Sequence, residues 1–392
     1  MALSLPLLRV ALAAMTDVLI VGGGLAGSAA ATWFARQGRS VHLLERHGDA
    51  VHKICGEFLS IEAQEHLVSL GIDLDTLGAS SVDRLRLVGG GRAVETRLPF
   101  VARGLSRMVL DEALLDGAVK AGAVVERPVR VLGVGEGGVR TDRGDRTGRA
   151  LMLATGKLGI REEAAQPRAA SGVPSRDTLH NAHVGFKMHW RLLPRDRDGL
   201  RGLIELTLLP GGYAGLQMVE NDIANLCLVL RRDRLMAMGG RWEDVLASIG
   251  GLSPGLRALA DAQPLFVRPV TIANLPYGHM HDAGAGEGIW RLGDQAAMTA
   301  SLTGDGMAIA LRSAWLAAQC TAAGLGPDAY HARLRAMVGR QMRRGMMLQR
   351  LVEVPLLPAA VMGMLQACPG LLRTMVRITR LPDLGGMEKI LA

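Results

Sequence analysis

Residues 18–31 have the sequence VLIVGGGLAGSAAA, and this stretch decides the fold. An apolar run leads directly into Gly22-x-Gly24-x-x-Gly27 and then into small residues that suit a helix. This order predicts a buried strand, a tight turn and a helix. Glu45 follows a second apolar run, twenty-one residues after Gly24. The full context therefore indicates a Rossmann-type βαβ unit that binds a dinucleotide.

Each part of the motif has a physical task. Gly22 permits the tight turn, Gly24 lets the backbone approach a pyrophosphate, and Gly27 lets the helix pack closely on the strand. The helix N-terminus directs its amides at the phosphates. Glu45 is expected to accept hydrogen bonds from the ribose hydroxyls. Arg46, the next residue, is expected either to contact the ribose or adenine or to be solvated.

Two further glycine-rich stretches do not have this context. Residues 89–91 and 133–137 lie between predicted strands and open no helix. Both are interpreted as turns. The sequence therefore predicts one dinucleotide fold and no separate nicotinamide domain.

A second motif lies at residues 288–311, GIWRLGDQAAMTASLTGDGMAIAL. It resembles the second FAD motif of the flavoprotein superfamily that includes p-hydroxybenzoate hydroxylase and geranylgeranyl reductase. The resemblance implies FAD as the cofactor, with Asp294 at its ribityl or pyrophosphate region. It also implies that Gly304, Gly306 and Met307 form a helix start whose amides face the flavin ring and stabilise its anionic reduced form.

The resemblance assigns two more residues and covers most of the chain, from position 17 to 320. Arg107, in SRMVLDEALL, matches a family arginine near the FAD phosphates. Val131 matches a strand that contacts the adenine. For Arg107 taken alone, the alternative is a solvated arginine at a helix start.

The segment 53–60, KICGEFLS, resembles the Cys-Gly stretch of geranylgeranyl reductases that lies near the flavin. The resemblance makes Cys55 a candidate active-site residue that donates a proton or modulates the ring. The alternative is a small buried packing residue. The other three cysteines, Cys227, Cys320 and Cys368, are predicted to be structural. The spacing of cysteines and histidines predicts no metal site.

Residues 213–218 keep the tyrosine of a substrate-sheet motif of geranylgeranyl reductases, but not its tryptophan or Phe-Pro. Tyr213 is thus a second candidate proton donor. The Asp-Gly segment of aromatic hydroxylases is replaced at residues 154–157, and the halogenase motif Trp-x-Trp-x-Ile-Pro is absent.

We therefore predict reduction or dehydrogenation of a carbon–carbon bond in a hydrophobic prenyl, polyketide or carrier-tethered substrate. One alternative is an FAD-dependent monooxygenase that takes electrons from NAD(P)H or from a partner reductase. Another is a flavin-binding redox sensor without turnover. The electron donor stays open, with NAD(P)H as the candidate.

The expected fold is α/β, with a Rossmann-type FAD-binding domain interleaved with an antiparallel substrate sheet and followed by C-terminal helices. The predicted FAD-binding domain comprises 15–75, 100–165 and 280–325. The predicted substrate domain comprises 76–99 and 166–279, and the helical region comprises 326–392.

Composition limits the partners. The chain has 392 residues and a net charge of +8, but its arginines are scattered, aromatics are 3% and no nucleic-acid motif occurs. An acidic carrier protein or an anionic membrane surface also suits a basic protein. The Met- and Arg-rich C-terminal region is interpreted as a helical cap, with membrane docking as the alternative. Few, scattered cysteines favour the cytoplasm. Residues 1–14 are expected to precede a native start at Met15.

Overall fold

The computed structural model describes residues 15–382 except 136, 158, 160–181, 285, 287, 355 and 356. The expectation about residues 1–14 lies outside the described residues. The strands of the first half are β1 Thr16–Val21, β2 Val41–Leu44, β3 Phe58–Leu59, β4 Ser80–Gly89, β5 Arg92–Gly104, β6 Val124–Glu126, β7 Val131–Gly135, β8 Gly138–Thr141 and β9 Arg146–Leu153. Those of the second half are β10 His183–Arg191, β11 Gly202–Leu209, β12 Gly212–Met218, β13 Ala224–Arg231, β14 Gln263–Pro264, β15 Val270–Leu275 and β16 Ile289–Arg291.

The helices fall into three groups. The first domain contributes α1 Leu25–Arg36, α2 Ile61–Ser69 and α3 Arg107–Lys120. Short helices around the second sheet are α4 Pro194–Leu200, α5 Arg232–Ala237, α6 Trp242–Ile249 and α7 Pro254–Ala258. The last group is α8 Gly306–Ala322, α9 Pro327–Glu353, α10 Leu357–Ala367 and α11 Pro369–Ile378.

The first sheet is built on the predicted βαβ unit. β1 lies between β2 and β9, and all three are parallel. β6 extends the sheet beyond β2, and β16 pairs in parallel with β9. The residues of β1 alternate between two buried clusters. Val18 and Ile20 pack with the helices, whereas Leu19 and Val21 pack on the opposite face. A strand buried on both faces explains the continuous apolar run.

The second sheet has the order β14-β10-β13-β12-β11-β4-β5-β3. It is antiparallel except where β11 runs parallel to β4. One face packs under the short helices, through side chains such as Phe186 and Trp190 on β10. The other face packs against the C-terminal helices through side chains such as Tyr213 and Val229. The predicted interleaving of two sheets is confirmed, and β5 carries the second sheet to Gly104, beyond the predicted edge at 99.

The C-terminal helices pack against the second sheet and α8, as the sequence predicts for a helical cap. Among the described residues, no helix is both long enough and apolar enough to cross a membrane.

Three local predictions need correction. The turn predicted at 89–91 is formed by Gly90 and Gly91 only, because β4 continues through Gly89. Residues 133–135 belong to β7, so only the end of the second glycine-rich stretch is a turn. Cys368, predicted to be structural, is exposed.

Candidate active site

The first glycine motif forms a cradle with no room for side chains. Gly22 has φ of +106°, and a Cβ there would lie 2.5 Å from the Ala154 carbonyl oxygen. A Cβ on Gly27 would lie 1.8 Å from the Gly22 carbonyl oxygen. Only glycine can therefore close the turn between β1 and α1. The N-terminus of α1, free of side chains, suits a pyrophosphate.

Two cations stand over this helix end. A Cβ on Gly24 would lie 3.4 Å from Arg107 Nη2 and 3.5 Å from Lys53 Nζ. Both side chains bind Asp111, which accepts from Lys53 Nζ at 2.7 Å and from Arg107 Nε at 2.8 Å. Burial opposes ionisation of Asp111, but Arg107 and then Lys53 hold its pKa below the ordinary value.

This trio has one positive charge in excess beside the helix N-terminus, which fits the diphosphate of FAD. The predicted position of Arg107 near the phosphates is thus consistent with its surroundings. Its ion pair with Asp111 lies one helical turn along α3, and the pKa of Arg107 is raised by it despite burial. Sequence reasoning missed Lys53 and Asp111. The spacing of Arg107 and Asp111, four residues apart, was the available signal.

Glu45 closes the other side of the cradle. Its Oε2 accepts from the amide of Gly23 at 2.6 Å, so the carboxylate stands at the end of β2 beside the glycine turn. The Val129 amide donates to the Glu45 carbonyl at 2.8 Å, which brings Val131 at the start of β7 to the same edge. Arg46 is exposed and donates to the His47 ring at 2.8 Å. Its predicted contact with the cofactor stays a prediction.

The second predicted motif packs against α1, because a Cβ on Gly293 would lie 3.2 Å from Ala26 Cβ. Asp294 occupies a short 3₁₀ turn directly after β16. Burial raises its pKa, whereas Lys157 and Arg107 lower it in part. Gly304 has φ of +73°, and a Cβ there would lie 2.9 Å from Phe58 Cδ1. Gly306 and Met307 begin α8, as predicted.

A buried carboxyl at the start of α8 links this motif to the C-terminal helices. Asp305 is fully buried and lies 2.8 Å from Arg380 Nη1, and the Gln341 side-chain amide donates to its other oxygen. Arg380 also donates to the Thr303 carbonyl. Burial raises the pKa of Asp305 to about 6. The loop before α8 is therefore held by a residue from the far end of the chain.

The segment that contains Cys55 is fastened to the second sheet. Asn225 donates to the carbonyls of Cys55 and Gly56 at 3.2 and 2.9 Å. Gln217 donates to the carbonyl of Glu57 at 2.8 Å. Cys55 is half-buried, and its Sγ accepts a hydrogen bond from the Glu57 amide at 3.3 Å.

Beneath this segment lies a buried ionic cluster that sequence reasoning missed. Glu57 is fully buried, contacts the Lys187 ammonium, and accepts from His189 Nε2 at 2.7 Å. Burial alone would raise the pKa of Glu57, but His189 and Lys187 bring it below the ordinary value. The position of Glu57 directly after Cys-Gly, and a lysine within an apolar strand, were the available signals.

Ligand atoms at this cluster lie close enough in space to hold a metal ion, although the spacing of cysteines and histidines along the sequence predicts no metal site. One ligand atom each from His52, Glu57 and His189 lies within 4.8 Å of the others. Lys187 already neutralises the Glu57 carboxylate. We therefore interpret the cluster as an ionic support for the segment that contains Cys55, and not as a metal site.

A large apolar cavity extends from these loops across the second sheet. Its empty volume is about 1380 Å³, with the solvent at its mouth included. Gly56 and the loop 301–304 line the end near the flavin motif. The walls are aliphatic and aromatic side chains of the sheet and of the C-terminal helices, among them Leu85, Leu87, Phe100, Leu206, Leu208, Leu348, Leu365, Leu372 and Val376.

Few polar side chains face the cavity, and Tyr213 is one of them. Its hydroxyl pairs with Ser301 Oγ, which also lies 2.9 Å from the Tyr277 hydroxyl. Burial raises the pKa of Tyr213 well above its ordinary value, so the phenol keeps its proton. Cys227 also lines the cavity, and burial raises its pKa to about 12. The structure thus brings Tyr213 to the predicted flavin loop, while Cys55 stays beside it rather than in the cavity wall.

Comparison with known proteins agrees with this geometry. Residues 15–147 match the FAD binding domain family. The chain is 30% identical over 336 residues to digeranylgeranylglycerophospholipid reductase 2 of Methanopyrus kandleri, covering 80% of this chain and 78% of that protein. It is 27% identical over 328 residues to the menaquinone reductase of Mycobacterium tuberculosis, covering 77% and 76% of the two chains.

Solved structures share the fold. A flavin-dependent brominase superposes with a TM-score of 0.73 at 18% identity, over 93% of both chains. A geranylgeranyl bacteriochlorophyll reductase-like protein from Thermoplasma acidophilum superposes with a TM-score of 0.66 at 20% identity, over 87% of this chain and 88% of that one.

Proposed function

Because the chain belongs to the superfamily of FAD-dependent oxidoreductases that includes the geranylgeranyl reductases and p-hydroxybenzoate hydroxylase, we propose that it reduces carbon–carbon double bonds of a lipophilic, prenyl-bearing molecule. The large apolar cavity carries this proposal. It starts at the loop that is predicted to face the flavin and continues between sheet and helices.

The shape and chemistry of the cavity suit an extended hydrocarbon. The cavity runs between the sheet and the C-terminal helices, and its walls contain few hydrogen-bonding groups. A prenyl chain gains free energy on leaving water and needs no polar partners. Two of the relatives are named as reductases of a geranylgeranyl lipid and of menaquinone, which supports this substrate class.

Reduction of a double bond needs a hydride equivalent for one carbon and a proton for the other. Bound FAD in its reduced state supplies the hydride equivalent. Tyr213 is our first candidate for the proton, because its buried hydroxyl is protonated and lines the cavity beside Ser301. Cys55 is the second candidate, based on its place in the segment next to Gly56. Arg107 and Lys53 hold the diphosphate in this proposal.

The test uses FAD-loaded protein reduced with dithionite under anaerobic conditions, so that the natural electron donor does not matter. We incubate it with detergent-dispersed menaquinone or with a geranylgeranyl phospholipid, reoxidise any quinol in air after removing the protein, and analyse the lipid by mass spectrometry. The expected product gains two hydrogen atoms per reduced double bond. A Leu206→Trp variant, which fills the cavity wall, should lose this activity. Leu252→Trp places the same side chain at a position 48% exposed and should keep it.

Two outcomes would overturn the proposal. Unchanged lipid in the presence of reduced, bound FAD would contradict reduction and leave the redox-sensor alternative. Oxygen incorporation after air is admitted, with faster NAD(P)H consumption when a substrate is present, would show a monooxygenase. Separate runs with NADH and NADPH in place of dithionite test the proposed nicotinamide donor.

A further inference from the structure

The excess positive charge of the chain is concentrated in one region. Residues 329–382 contain nine arginines, one glutamate, no lysine and no aspartate, a formal charge of +8. The whole chain also carries +8. Arginines occur throughout the sequence, but elsewhere carboxylates balance them. This region therefore carries a positive field, in which only some arginines, such as Arg335 and Arg380, are paired with carboxylates.

On α9, arginines and apolar residues share one exposed stripe. Arg340, Arg343, Met347, Arg350 and Val354 are spaced at three, four, three and four residues, which places them on one helix face. The arginines are exposed, and Met347 and Val354 are 63% and 48% exposed. Within the described part of the chain, none of these three arginines has an ion-pair partner.

The exposed side of α11 continues this stripe. Arg373 and Arg377 are exposed, and Ile378 beside them is 45% exposed. Arg344 of α9 donates to the Ile378 carbonyl at 3.0 Å, so the two helices meet at this surface. We call the exposed residues 340, 343, 347, 350, 354, 373, 377 and 378 the basic surface.

The basic surface adjoins the cavity. Leu351 lines the cavity and is also 39% exposed, and it follows Arg350 on α9. The inward sides of the same helices, including Leu348 of α9 and Met375 and Val376 of α11, form the cavity wall. A molecule bound to the basic surface would therefore lie beside an exposed part of the cavity wall.

We propose that the basic surface docks on an anionic lipid bilayer and places the exposed part of the cavity wall against it. Arginines attract the anionic headgroups, while Met347, Val354 and Ile378 are available for burial among the acyl chains. An acidic protein would match the arginines but leave these apolar side chains without a matching environment. The long arginine side chains can reach headgroups while their aliphatic stems cover apolar surface.

This inference deepens the proposed function, since a prenyl lipid would enter from the bilayer without crossing water. Vesicle binding does not require turnover, so the two proposals can fail separately. The docking proposal concerns the surface alone and stands even if the substrate is a different lipophilic molecule.

The experiment measures co-sedimentation of the full-length protein with vesicles of phosphatidylglycerol and phosphatidylcholine, and with vesicles of phosphatidylcholine alone. Binding should require the anionic lipid and weaken with added salt. Arg343→Gln, Arg350→Gln, Arg373→Gln and Arg377→Gln together should weaken binding several-hundredfold, since each arginine near an anionic leaflet contributes about fivefold. The control variant carries the same change at four exposed arginines elsewhere, Arg143, Arg149, Arg232 and Arg257, and should bind as wild type.

A second variant separates lipid from acidic protein. Met347→Ser with Ile378→Ser keeps the charge and should weaken vesicle binding, but not binding to polyglutamate. Flavin absorbance and thermal unfolding verify that each variant is folded. Equal binding to neutral and anionic vesicles, or equal losses in the two arginine variants, would overturn the proposal. So would polyglutamate binding without vesicle binding, which would indicate an acidic protein as the partner.

Discussion

Replacing Arg380 by leucine should destabilise the protein in a way that depends on pH. Asp305 is fully buried, and Arg380 at 2.8 Å is the only cation that contacts it among the described residues. Breaking a buried ion pair by removing one partner typically costs about 3 to 5 kcal/mol, because the other charge stays buried. The change also removes the Arg380 guanidinium from over the Phe100 ring, 5.6 Å from its centroid.

The sign of the pH dependence follows from the pKa of Asp305. This pKa is about 6 in the folded protein, above its ordinary value of 3.8, so the folded state holds a proton more tightly than the unfolded chain. The associated stability is present below the unfolded value and is lost as the pH rises through the folded one. Without Arg380 the folded pKa rises further. The additional deficit of the variant therefore develops only above about pH 6.

We expect a deficit of about 3 kcal/mol near pH 8, if the folded pKa rises by about two units. Near pH 5 we expect only the loss of the Thr303 hydrogen bond and of the Phe100 contact. Urea unfolding followed by circular dichroism at both pH values measures this difference. The double variant Asp305→Asn with Arg380→Leu should recover most of the loss at high pH. A deficit that is equal at both pH values, or a double variant no more stable than the single one, would refute the reasoning.

Three further predictions concern the site. Gly27→Val should abolish FAD binding, measured by the ratio of flavin to protein absorbance, because even a Cβ would lie 1.8 Å from the Gly22 carbonyl oxygen; retained FAD would contradict the geometry of the cradle. Glu57→Gln should lower the free energy of unfolding by about 3 to 5 kcal/mol, since Lys187 would be buried without its carboxylate, and a melting temperature equal to that of wild type would refute this. Tyr213→Phe should reduce lipid turnover about 100-fold with FAD content unchanged. Unchanged turnover would show that another group donates the proton.

The parts of the site that could be predicted are those formed by residues close together in the sequence. The glycine motif, the acidic residue at the end of β2 and the helix that starts at Arg107 all follow from short-range pattern and the rules of a βαβ unit. The second motif was found by resemblance, and the structure packs it against α1. These features could be predicted because each needs only its neighbours along the chain.

The contacts that join the two sheets could not be predicted. Glu57 and Lys187 are 130 residues apart, and Asp305 meets Arg380 only after the C-terminal helices have returned to the sheet. A lysine in an apolar strand gives no sign of its partner. The same holds for Asn225 and Gln217, whose neighbours on the strands are apolar but whose amides hold the segment with Cys55.

The pairing of β16 with β9 has a consequence for synthesis on the ribosome. β9 ends at Leu153 and its parallel partner begins at Ile289, about 135 residues later. At the usual rate of translation, the edge of β9 waits roughly 7 to 27 s for that partner. During this time an apolar strand edge is open to pairing with other chains. We therefore expect recombinant yield to depend on growth temperature and chaperone supply more than the stability of the finished fold would indicate.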